Sequence, residues 1–137
     1  MKRLFLTVFL SCLMSTVVLA STQMKVNEEF IKERKLLEQQ VHQSMDNPDA
    51  HFNLAMNYAY TGWIEDAWEE LKVVNSLDKD YPNKIIKKYS NLARKNPNNW
   101  NYAFKLSFGY YFLDQKEVAI TQFKKVLEID KENPWAM

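Results

Sequence analysis

The sequence predicts an all-α fold, an antiparallel stack of helical hairpins, and three observations carry that expectation. Only two glycines and four prolines stand in 137 residues, too few for the tight turns of a β-rich chain or for a flexible linker. Apolar residues recur at steps of three and four, the spacing of one helix face. Gly62 and the phrases Asn47-Pro48 and Asn96-Pro97 punctuate those stretches, as helix ends require. The length fits one domain. Charge is balanced, 18 Lys and Arg against 17 Asp and Glu. With no Lys/Arg-rich run after the first helix-length stretch, nothing tracks a phosphate backbone, and nucleic acid is excluded as a partner.

Residues 1–20 have the form of a secretory signal peptide. Lys2 and Arg3 precede an apolar run from Leu4 to Ala20, and Val18 and Ala20 are small residues where a signal peptidase reads. The expected product begins at Ser21 and is periplasmic or secreted. If the leader is retained, it is the one membrane contact, although the run is shorter than the ~20 apolar residues of a spanning helix. Cys12, the single cysteine, lies inside it. A mature chain without that residue has neither a disulfide nor a thiol nucleophile, so packing must stabilise residues 21–137.

The helices are taken in chain order. Val26, Phe30, Leu37 and Val41 form the apolar stripe of a first helix over about 26–45. Pro48 lacks an N–H and disfavours helical angles at Asn47, so that helix ends there. A second runs from about Asp49 to Tyr60 and stops at Gly62, and a third spans Ile64 to Leu77. Asp80 and Pro82 open a middle helix over 83–95, with Ile85, Tyr89 and Leu92 on one face. From Trp100 a further helix places Ala103, Leu106, Ser107, Tyr110 and Leu113 together. Asp114 and Glu117 have capping-box spacing, which predicts a new helix carrying Ala119, Phe123, Val126 and Leu127.

Two windows share one order of residues. Leu54, Ala55, Tyr58, Gly62, Ala67, Leu71 and Val74 stand as Leu106, Ser107, Tyr110, Asp114, Ala119, Phe123 and Val126 stand later. This pattern resembles the tetratricopeptide repeat family, in which helical hairpins of ~34 residues stack into an α-solenoid. The windows are 48–81 and 100–133, with the helices about 26–45 and 83–95 as additions. His51, Ala103, Asp114, Lys79 and Lys131 depart from the family's pattern. The windows lie 52 positions apart, 100 against 48, so the middle helix reads as half a repeat. One added helix reverses the direction of the second hairpin, and the two hairpins are not expected to share one continuous groove.

The resemblance implies a concave binding face on the first helix of each hairpin. It maps to Phe52, Asn53, Met56 and Tyr60, and to Phe104, Lys105, Phe108, Tyr111 and Phe112. These surfaces are rich in aromatic residues and suit an apolar or aromatic peptide segment or a helix; the competing reading makes the same rings core. Family members that grip a peptide carboxylate use Lys, Asn and Arg there, and only Asn53 and Lys105 are of that kind, so that clamp is not expected. Lys84, Lys87, Lys88, Arg94 and Lys95 crowd the middle helix beside the acidic Glu65, Asp66, Glu69 and Glu70, and the two sets are expected to offset each other.

Material for catalysis is thin. Glu38 and His42 have a chelating spacing, but two ligands do not complete a metal site, and His51 fills a packing position. No phosphate loop, nucleophile elbow or zinc-protease motif is present. No cofactor is implied. The expected function is a non-catalytic protein–protein interaction or scaffold module with a protein or peptide partner. The alternatives are a self-associating structural subunit, with Trp135 buried between copies as a homo-oligomer, and the front part of a longer repeat protein, since Asn133-Pro134 repeats the phrase Asn47-Pro48.

Overall fold

The computed structural model describes residues 28–129, which hold six helices and no strand. They are α1 (28–43), α2 (Pro48–Tyr60), α3 (Ile64–Leu77), α4 (Tyr81–Lys95), α5 (Trp100–Phe112) and α6 (Lys116–Ile129). The leader and Trp135 lie outside the described residues.

The bounds of α2 and α3 recur in α5 and α6 with a period of 52, the separation that also links Asn53 and Lys105. Asn47 caps α2 by accepting from the Asp49 N–H, and Asn99 caps α5 by accepting from Asn101 and Tyr102. Both are Asn in an extended conformation, the arrangement that satisfies orphan N–H groups at a helix start. α2 ends in a Schellman turn: Trp63 N–H donates to the Tyr58 carbonyl (2.9 Å) and Gly62 N–H to that of Ala59 (3.3 Å). α5 ends the same way, with Gln115 donating to Tyr110 and Asp114 to Tyr111, both at 3.0 Å. Gly62 takes φ 82° and Asp114 takes φ 59°. Asp114 therefore occupies the left-handed position that closes α5 and is not the first cap of α6; the carboxylate meets Lys116 instead, at 3.1 Å.

The period reaches the flanking helices too. α4 ends at residue 95, 52 positions after α1 ends at residue 43, so the middle helix is the counterpart of the first helix and not half of a repeat. The repeating unit is three helices, 28–77 and 80–129. In the first unit, buried Asn57 holds α1 to α2: its amide donates to the Phe30 carbonyl (3.2 Å) and Glu33 (3.1 Å) and accepts from Arg34 (3.3 Å). Arg34 also lies over the rings of Tyr58 and Trp63, 5.1 and 4.4 Å from their centroids, contacts worth about 0.5–2 kcal/mol each. In the second unit the position of Asn57 is Gly109. A Cβ there would stand 2.9 Å from Ile85 and 3.0 Å from Ile86, the counterparts of Glu33 and Arg34. One unit fastens its flanking helix with hydrogen bonds, the other by close apolar approach.

The two units meet where α2 packs on α4 and α5: Phe52 lies against Tyr81 and Tyr89, and the Tyr81 hydroxyl donates to Asp49. Tyr60, at the end of α2, stacks on Trp100, at the start of α5, with centroids 4.6 Å apart, and Asn53 accepts from Lys105 at 3.0 Å. The equivalent helices are thus antiparallel, and an approximate two-fold relates the units. The end of α2 thus meets the start of α5. The core lies on and around this axis: Phe52, Ala55, Met56, Leu71, Val74, Ile85, Tyr89, Phe104, Leu106 and Val126 form one buried cluster. The bases of α4 do not meet the acids of α3, because α4 packs on α5. Lys84 pairs with Asp78 and Lys88 with Asp49, while Glu69 pairs with Lys72 and Glu70 with His51.

The paired Schellman turns give a direct test. Asp114→Gly relieves a side chain at positive φ and is expected to raise stability by about 0.5–1 kcal/mol, whereas Gly62→Ala lowers it by about 1 kcal/mol. Denaturant unfolding of the two variants reads both signs.

Candidate functional site

A groove of about 250 Å³ opens where α1 and α5 flank α2. Its floor is Asn53, Met56, Asn57 and Tyr60; Phe30, Glu33 and Leu37 form one wall, and Trp100, Asn101, Phe104 and Lys105 the other. One end is aromatic, built by Tyr60 against Phe30 (4.4 Å), Trp100 (4.6 Å) and Phe104 (5.7 Å, edge-on). Past Asn53 a second hollow of about 220 Å³ continues between Gln40, Gln43, Ser44, Asn47 and Asp49. The site therefore runs from rings to amides.

Lys105 stands between the two ends. Its ammonium donates to Asn53 and lies 5.5 Å from the Tyr89 ring centroid. Burial pushes its pKa below the ordinary lysine range, and Lys88 adds to that, while Glu33 and Asp49 oppose it. Among the described residues no carboxylate lies within ion-pair distance of it. A half-buried ammonium whose hydrogen-bond acceptor is a neutral amide retains capacity for an anion.

The groove exists because the two units differ. By the 52-residue equivalence, Leu37 stands where the second unit has Tyr89, and Glu29 where it has Tyr81. In the second unit those tyrosines fill the space against Phe52, with centroids 6.4 and 5.7 Å away, and the Tyr81 hydroxyl donates to Asp49 at 2.6 Å. In the first unit Glu29 is exposed and Leu37 is half-buried, so the corresponding space beside Phe104 is open. The two related sites therefore differ in that one is filled by its own side chains and the other is open.

Of the nine residues expected on a concave face, Asn53, Met56, Tyr60, Phe104 and Lys105 line this groove. The antiparallel hairpins share it, contrary to the expectation of separate grooves, because α2 supplies the floor and α5 a wall. Phe108 and Tyr111 face a different hollow, between α3 and α5, with Phe123 of α6 at its side. Phe52 is 1 % exposed and belongs to the core, and Phe112 is half-buried against it. Phe108 packs between Phe104 (5.1 Å) and Phe123 (5.5 Å), so changing it would disturb the fold as well as any surface. Phe30, Glu33, Leu37, Asn57, Trp100 and Asn101 complete the lining without having been expected there. The period of 52 is the signal for them, since carrying it back to the first helix sets Leu37 against Tyr89.

His51 is buried, with Nδ1 2.6 Å from Glu70 and Nε2 2.9 Å from the Met45 carbonyl, and ties the α1–α2 turn to α3. Among the described residues no three His, Cys, Asp or Glu side chains gather to hold a metal. No protein-family model and no curated protein matches this chain.

Three tyrosines of the packing titrate high. Burial first, then the Glu38 hydrogen bond, pushes Tyr58 up to about 12 from the ordinary 10.0. Burial pushes Tyr89 to about 12 as well, with Asp49 and Tyr102 adding to it, and burial with the Asp49 hydrogen bond drives Tyr81 upward. A raised folded pKa means that the neutral hydroxyl stabilises the fold below the unfolded pKa and that this contribution is lost as pH rises through the folded one. Stability should therefore hold to about pH 10 and fall between about pH 10 and 12. Circular dichroism followed with tyrosinate absorbance checks it; ionisation at the ordinary value with the fold intact would contradict the packing described.

Proposed function

We propose that this chain is an exported, non-catalytic protein-binding module built from helical hairpins of tetratricopeptide-like type, and that the α1–α2–α5 groove receives a segment of a protein partner. The observation that carries this reading is the asymmetry of the two units: the space that Tyr81 and Tyr89 fill in one is open in the other. An aromatic or aliphatic side chain suits the end made by Phe30, Tyr60, Trp100 and Phe104, where burial contributes about 1.5–3 kcal/mol. A carboxylate of the partner suits Lys105, because the ammonium there is partly desolvated and its present acceptor is neutral. Main-chain amides suit Asn101, Gln40 and Gln43, which both donate and accept. Apolar anchors with a few placed polar groups suit peptide recognition, and this supports the reading.

Export rests on residues 1–20. Mass spectrometry of the protein recovered outside the cytoplasm is expected to show a chain beginning at Ser21, and a chain retaining Met1 would contradict cleavage.

Binding is tested with a library of short peptides, acidic and neutral, each carrying one aromatic residue. Leu37→Tyr should close the groove as Tyr89 closes its counterpart, weakening binding by roughly tenfold or more, about 1.4 kcal/mol, with an unchanged or higher melting temperature. Lys105→Met should weaken acidic peptides and leave neutral ones as they were. Full affinity in Leu37→Tyr would exclude the groove.

A further inference from the structure

From Tyr81 to Leu113 the chain carries Lys84, Lys87, Lys88, Arg94, Lys95 and Lys105 and not one Asp or Glu. All of these bases except Lys105 belong to α4, and each of those on α4 is exposed. At about 100° per residue, Lys84, Lys87, Lys88, Asn91, Arg94 and Lys95 fall in one outward sector of about 120°. Pro82, Ile85 and Tyr89 turn inward and are buried. The helix is about 22 Å long at 1.5 Å per residue, and the bases follow it to its end.

A flank that only meets water looks different in this fold. α1, at the equivalent place in the first unit, mixes Glu28, Glu29, Glu33 and Glu38 with Lys32, Arg34 and Lys35, so its charges offset one another. On α4 the neighbouring elements offset only part of the charge. Lys84 pairs with Asp78, and Lys88 reaches Asp49 at 3.7 Å. Among the described residues, Lys87, Arg94 and Lys95 have no carboxylate within ion-pair distance, and Arg94 donates to the neutral Asn91 at 3.1 Å. Asp78 and Asp80 precede the first turn, so the excess of positive charge grows toward Arg94 and Lys95.

We propose that the outward face of α4 docks on anionic lipid headgroups. The composition of the face selects that partner. Its exposed residues, Asn83, Lys84, Lys87, Lys88, Asn91, Arg94 and Lys95, are all cationic or amide. A protein partner is held by aromatic and apolar anchors, and protein interfaces are poor in Lys. A plane of headgroups needs no anchor or pocket, because each base brought near it adds to the attraction. Export, proposed above, carries the chain past a membrane and away from nucleic acid. α4 lies along the headgroups without entering the hydrocarbon, since its outward sector is polar throughout.

Co-sedimentation of the full chain with phosphatidylcholine vesicles, with and without an equal part of phosphatidylglycerol, tests this. The natural chain should partition roughly tenfold or more in favour of the anionic vesicles, and the preference should fade as salt is raised. Lys87→Gln with Arg94→Gln and Lys95→Gln should lose most of it. Lys32→Gln with Lys35→Gln and Lys116→Gln removes the same charge elsewhere and should keep it; the leader is common to both variants and cancels between them. All the altered side chains are exposed, so circular dichroism should match the natural chain. Groove peptides should bind the α4 variant as they bind the natural chain, which separates this surface from the groove. A natural chain without preference for the anionic vesicles overturns the proposal, and so does an equal loss in both variants. Polyglutamate of matched charge that binds more tightly than the vesicles reassigns the face to an acidic protein and overturns it too.

Discussion

The contact of α2 with α5 constrains everything else in the molecule. Because Tyr60 stacks on Trp100 and Asn53 bonds to Lys105, equivalent helices lie antiparallel and the two three-helix units face each other around an axis. Each unit alone would leave an apolar hairpin face open to water, which costs burial. Facing units bury those faces in one cluster that includes Phe52, Phe104, Leu71 and Val126. A chain of ~34-residue units stacked by translation would keep its first helices parallel and extend one concave surface. Here the surfaces converge instead, so the groove is short, closed by α1 on one side and α5 on the other.

Departures from the two-fold are where the chemistry lies. Asn57 and Gly109 hold equivalent places, yet one gathers Phe30, Glu33 and Arg34 by hydrogen bonds and the other admits Ile85 and Ile86 to van der Waals distance. Each solution suits its neighbours: a buried amide must be satisfied, and only glycine leaves space for two β-branched side chains. The same division makes Tyr89 a plug and Leu37 a wall. It also sets Lys105 against Asn53, one equivalent position holding a cation and the other a neutral acceptor. A perfectly symmetric molecule would have filled both spaces or neither.

Much of the fold is legible in the sequence. Helical spacing places α3 at Ile64–Leu77, as observed, and Gly62 marks the end of α2 because a left-handed residue is needed there. Asp114 is an exception: its spacing to Glu117 points to a cap, but backbone closure of α5 requires positive φ and Asp tolerates it. The equivalence of α1 and α4 is hidden, since Glu33 and Arg34 share no chemistry with Ile85 and Ile86, and a helix can be fastened either way. The candidate site is legible only on one side. The pattern of the first hairpin helix locates Asn53, Met56, Tyr60, Phe104 and Lys105, but the groove's other wall comes from α1, and periodicity within one helix says nothing about which distant helix lies beside it. Phe52 carries the same signal as Phe104, and only the tyrosines of α4 decide that it is core.

The groove and the two-fold both rest on the relation between α2 and α5. Inter-ring nuclear Overhauser effects on the full chain measure it directly. Antiparallel packing predicts cross-peaks from Tyr60 to both Trp100 and Phe104, at one end of the contact. Cross-peaks from Tyr60 to Phe112 in their place would mean parallel helices and a continuous repeat stack, and would contradict the two-fold arrangement.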